Sequence, residues 1–67
     1  MRTSQKRQRF CRNLTDGINH VTEAIRHFRA ARNNTTRAAD RRRLLRNIER
    51  LQEIRRDKRR LRNQRCN

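Results

Sequence analysis

The 67 residues are expected to form one domain at most, and 21 lysines and arginines against 6 acidic residues give a formal net charge of +15. Self-repulsion at that charge opposes compaction of a lone chain, so a polyanion is its natural complement. No apolar run approaches a membrane span, the arginine-rich start lacks the apolar stretch of a signal peptide, and no glycine-rich phosphate loop, paired-carboxylate site or Ser-His-Asp set can be assembled, so an enzyme is not expected.

Residues 1–13 are polar and basic, with Arg2, Lys6, Arg7, Arg9 and Arg12. An apolar rhythm follows in which Cys11, Leu14, Ile18, Val21, Ile25 and Phe28 step by three and four residues. That repeat of seven fits one face of a helix and no strand. Arg12, Asp16, Asn19, Glu23 and Arg26 fill the opposite face. Keeping Phe10, Cys11 and Leu14 in phase sets the start near Thr3 or Ser4, which predicts helix 1 over about 4–32. Gly17 lies inside it at a cost of roughly 1 kcal/mol relative to alanine.

Asn33, Asn34, Thr35 and Thr36 form the only cluster of turn and cap residues. Asparagine tolerates the left-handed conformation that ends helices, and threonine starts them. A turn over 33–36 this short implies an antiparallel hairpin. Helix 2 is predicted over about 37–63, with Leu44, Ile48, Leu51 and Ile54 on one face, flanked by Leu45 and Leu61. Past Ile54 the phase passes to Arg55, Lys58 and Arg62, so the core is expected to fade there and the last dozen residues to project beyond the hairpin. Glu49, Glu53 and Asp57 fall opposite the apolar seam, threaded among Arg42, Arg46, Arg56 and Arg60 at three- and four-residue spacings that support a helix.

Cys11 and Cys66 have neither partner cysteines nor histidines at metal spacing. Cys11 fits the seam as a small hydrophobe, and Cys66 reads as a free tail thiol able to cross-link dimers under oxidation. Reduced thiols point to an intracellular, cytoplasmic chain, and the basic run 55–62 has the make-up of a nuclear-import signal and equally of ligand-binding surface. His20 and His27 share a helix face near Asp16 and Glu23 but find no third ligand. No metal, cofactor or small-molecule substrate is expected.

Two helices with one seam each leave half of each seam wet, and chains this short rarely build a self-sufficient core. Pairing two hairpins covers the seams. The predicted fold is all-α: an antiparallel helical hairpin dimerising into a four-helix bundle with basic projecting helix ends. Its core is Leu14, Ile18, Val21, Ile25, Phe28, Leu44, Ile48 and Leu51.

Nineteen of the basic residues are arginine, whose rigid fork meets phosphate bidentately. Readers of single strands stack bases on aromatic platforms, and the two phenylalanines are both assigned to the core. Sequence-specific DNA reading needs side chains aimed at base edges, and no recognition position stands out. Shape-based binding of phosphates and ribose hydroxyls asks for spaced cations alone, which favours double-stranded RNA, with DNA as the second choice.

A short, dimerising hairpin of long basic helices resembles, over roughly residues 10–62 and in architecture, the small double-stranded-RNA-binding suppressors of RNA silencing of nodaviruses and similar viruses. The resemblance implies a dimeric bundle lying along the duplex and shielding it from dicing enzymes. On that reading Arg26 and Arg29 of helix 1, with Arg37, Arg41, Arg42, Arg46, Arg50, Arg56 and Arg60 of helix 2, make the contacts. The arginine-rich tail looks more like the helix of Rev-type RNA exporters, which is inserted into a widened groove. Basic helix-loop-helix transcription factors offer another comparison, with Arg2–Arg12 as basic region, but that stretch lacks the glutamate with which they read bases. A membrane-surface role is opposed by the missing tryptophan and by charge all around helix 2.

Overall fold

The three-four rhythm of apolar side chains closes as an antiparallel pair of helices: α1, Arg2–Asn33, and α2, Ala38–Arg65. The computed structural model describes the backbone of residues 2–66 and the side chains of residues 5–66. Met1 and Asn67, the ends of the expected 1–67 domain, lie outside the described residues. The hairpin is a rod of 55 × 15 × 13 Å, and its helices start and stop within two residues of the expected 4–32 and 37–63 bounds.

The reversal uses backbone bonds. The Asn34 N–H donates to both Ala30 O and Ala31 O at 3.1 Å, which tightens the last turn of α1. The Arg37 N–H donates to Thr35 Oγ1 at 3.3 Å. Arg37 itself, extended at φ −82° and ψ 121°, leads into α2 without a side-chain cap. No described residue takes a positive φ, so the left-handed asparagine expected here is replaced by a tightened helix end followed by one extended residue. Asp40 in the first turn of α2 and Arg62 and Arg65 in its last carry the signs that favour the helix dipole.

Three side chains are fully buried: Ile18, Ile25 and Ile48, at 3%, 2% and 2% exposure. Leu14, Val21, Phe28, Leu44 and Leu51 of the expected core are half-buried, and Phe10, Leu45 and Ile54 are exposed. Within one chain, then, the core is a line of isoleucines along the helix contact, with larger apolar side chains at its margins.

The C-terminal part of α2 does not project. It returns along α1, with Arg55 and Arg62 half-buried in the seam phase and Leu61 half-buried beside them. Arginine can hold such positions because its aliphatic stem lies along the neighbouring helix while its head reaches outward. Arg7 Nε donates to Arg65 O at 3.2 Å, and the Cys66 N–H closes the last turn on Arg62 O at 2.8 Å. The overhang falls instead at the start of α1, the longer helix, of 32 residues against 28.

The cysteines are also not free. Cys11 and Cys66, 55 residues apart in sequence, are joined as a disulfide with Cα atoms 5.8 Å apart. Antiparallel return sets them side by side, which counting local spacings could not show. Disulfides persist in oxidising compartments, so the argument for an intracellular chain from reduced thiols falls away. No described helix is long and apolar enough to cross a membrane.

Candidate nucleic-acid interface

At about 100° per residue, the two flanks of the hairpin differ in chemistry. On one flank Phe10, Leu14, Gly17, Val21, Ala24, Phe28 and Ala31 of α1 stand beside Leu44, Asn47, Leu51, Ile54 and Leu61 of α2, interrupted by Lys58. Phe28, Asn47, Arg50, Leu51 and Ile54 line one groove there, and Ala31, Leu44 and Asn47 contribute to the next. The opposite flank is polar apart from Leu45, which is exposed. It carries Thr15, Thr22, Arg26 and Arg29 of α1 and Arg41, Gln52, Arg55 and Arg59 of α2.

All nine arginines expected to contact nucleic acid are exposed, but they do not form one surface. Arg37 sits at the turn, and Arg42 and Arg46 point away from α1. Arg50 borders the apolar groove. Arg26 lies 3.3 Å from Glu23. Arg56 and Arg60 are brought together, and with neighbours outside the nine expected contacts. Gln52, Arg55, Arg56, Arg59, Arg60 and Asn63 line a cleft of about 540 Å³ on the polar flank.

Arg55 is the fixed member of this cleft. Its Nη1 donates to Thr22 Oγ1 at 3.3 Å, while the Thr22 hydroxyl donates to Ile18 O at 3.0 Å. The threonine proton is thus committed to its own helix and its lone pairs receive the guanidinium. The partner is neutral, so the orientation of Arg55 is set while its charge stays uncompensated. The row 52, 55, 56, 59, 60, 63 is a legible helical stripe, hidden only by the expectation that α2 runs free past Ile54.

The acidic thread of α2 closes no ion pair among the described residues. Among the described residues the ion pairs are Arg26–Glu23 at 3.3 Å and, when the imidazole is protonated, His27–Glu23 at 3.8 Å, both on α1. Glu53 and Asp57 stand three residues from Arg56 and Arg60 yet are exposed on the outer face of α2. The guanidinium charge along that helix is left to solvent or a ligand.

Phe10 departs from the expected core. It is 41% exposed, in a recess with Lys6, Arg7, Gln64 and Arg65 at the disulfide end. Strand readers use successive aromatic platforms, and one ring at the end of a rod does not make such a track. His20 and His27 are exposed, and no three His, Cys, Asp or Glu side chains gather among the described residues. Compared with family models, with curated proteins and with solved structures, the chain matches none.

Proposed function

We propose that the chain binds double-stranded nucleic acid, RNA in preference to DNA, through its arginine rows and independently of base sequence. The observation that carries this reading is the set of α2 arginines without a carboxylate partner among the described residues, on a helix about 42 Å long. Such a helix spans more than one groove of a duplex and touches phosphates on both strands. Binding of this kind is driven by counterion release, so it weakens steeply with salt. On the resemblance to viral silencing suppressors, the biological output is protection of duplex RNA from dicing. It is a binding function and not catalysis.

The binding unit in this proposal is a homodimer, with the apolar flank covered by a second copy. Phe10 and Ile54 are exposed on it and Leu14, Val21, Phe28, Leu51 and Leu61 are half-buried, while the other flank is polar apart from Leu45. A two-fold pairing of apolar flanks makes a four-helix bundle and turns both polar flanks outward.

Gel shifts with matched RNA, DNA and hybrid duplexes at physiological salt test the ligand. Tighter binding of the RNA duplex is expected, and equal affinity for all three rejects the RNA preference. Sedimentation without nucleic acid tests the dimer. Ile54→Lys should yield a helical monomer, whereas a charge at Ile25 falls inside the hairpin and unfolds it. A wild-type monomer at micromolar concentration removes the bundle.

A further inference from the structure

The geometry points to the arginine cleft on the polar flank of α2 as the site that grips consecutive phosphates of one strand, with Thr22 as the residue that positions it. This rests on the nucleic-acid reading above and deepens it, because it singles out one pair of tiers within the basic run 55–62 and gives Thr22 the positioning role.

Three features carry the inference. The cleft is lined by four guanidinium groups and two carboxamides and by no carboxylate. Phosphate diesters offer only acceptors, and these six side chains can meet them entirely with donors. Arg55 and Arg56 make one tier and Arg59 and Arg60 a second, one helical turn or about 6 Å further along. Two tiers suit a repeating backbone better than a single anion. Finally, Arg55 is half-buried and held by Thr22 Oγ1 through Nη1, leaving Nε and Nη2 for the ligand. A guanidinium fixed before binding loses less freedom on contact than the exposed arginines around it.

The test uses the oxidised full chain and a 20-base-pair RNA duplex across a salt series, with circular dichroism as a control for helicity. Arg55→Gln with Arg59→Gln should weaken binding by about tenfold per arginine and reduce the salt slope by about 2. Arg9→Gln with Arg12→Gln removes the same charge from α1, outside the cleft, and should cost less than about fivefold. Equal losses in the two pairs overturn the cleft. Thr22→Val keeps every charge and the branched shape. It should weaken duplex binding about threefold to tenfold, with Thr22→Ser restoring it and the salt slope unchanged. If Thr22→Val binds like the wild type, the positioning role is wrong.

Anionic vesicles of phosphatidylserine and phosphatidylcholine form the second arm. Vesicle binding that falls in parallel with duplex binding in both cleft variants would reassign the cleft to a membrane surface and overturn the proposal. A wild-type chain that binds no duplex sinks this inference and the proposed function together. A wild type that binds while all four variants behave alike sinks the cleft alone.

Discussion

The two ends of the rod are held by different physics. From Ile25 to the turn the seam is apolar: Ile25 and Ile48 are closed between the helices, and Leu44, Leu51 and Phe28 cover their margins. From Cys11 to Thr22 of α1 the facing seam of α2 is Arg55, Arg62 and Cys66, with Leu61 at its edge; Ile18 is buried there, and a covalent bond closes the tip. One half is a small hydrophobic core. The other is a charged segment fastened at its tip, and the arginine cleft lies there. The disulfide holds that arginine-lined stretch of α2 against α1, so the proposed ligand site lies in the half with fewer fully buried side chains among the described residues.

Cutting the tie should therefore have the largest effect. A bond between residues 55 apart in sequence removes enough freedom from the unfolded chain to contribute about 4 kcal/mol. Reduction, or Cys11→Ser with Cys66→Ser, should lower the urea midpoint accordingly. Amide exchange should accelerate first over 55–66, while residues 40–50 keep more protection. Uniform loss of protection along both helices would erase the distinction between the two ends.

Next in size is the core itself. Ile25→Ala removes a side chain at 2% exposure and should cost about 3 kcal/mol. Leu14→Ala, at a half-buried position in the disulfide half, should cost about 1 kcal/mol in the oxidised protein. Equal costs in denaturant melts would mean that the disulfide half packs as tightly as the turn half.

Arg62→Leu sharpens the comparison from the other side. The side chain is half-buried in the seam phase and makes no ion pair among the described residues. An apolar replacement should raise stability by roughly 1–2 kcal/mol. Arg55→Leu should also raise the melting temperature, yet weaken duplex binding because it removes the fixed guanidinium. Stability and affinity moving in opposite directions is the signature of a residue kept for its ligand.

How far the sequence could be read follows the same division. Where apolar residues recur at three and four, from Leu14 to Phe28 and Leu44 to Leu51, periodicity located both helices, the turn and the buried isoleucines. Where the seam turns to arginine, the reading stopped: a charge at a seam position was taken as the end of packing, although a long arginine stem packs as a hydrophobe. That one step sent α2 off the hairpin and moved Cys66 away from Cys11. It also hid the contact of Arg55 with Thr22 across the seam, beside the helical stripe 52–63. The disulfide depends on two residues 55 apart meeting across the rod, a tertiary fact with no local spacing to announce it. Phe10 was assigned to the core by phase alone, but it lies near the end of the rod, where the neighbouring helix runs out.

Gly17 should give the smallest effect. It is helical, its φ is negative, and a Cβ built on it would meet nothing within 4 Å. Alanine there removes backbone freedom from the unfolded chain and loses no contact, so Gly17→Ala should stabilise an isolated hairpin by about 0.5–1 kcal/mol. The residue lies on the apolar flank between Leu14 and Val21, where the proposed second copy would pack. A glycine costs stability inside a helix, and its use on that face is accounted for if another backbone comes close to it. The sign of the change at low and high protein concentration separates the two situations. A gain that persists as concentration rises describes a hairpin whose apolar flank stays open. A gain in dilute protein that turns into a loss where sedimentation shows dimer would put the second chain against Gly17, and the flank that the isoleucines leave half-covered would have its partner.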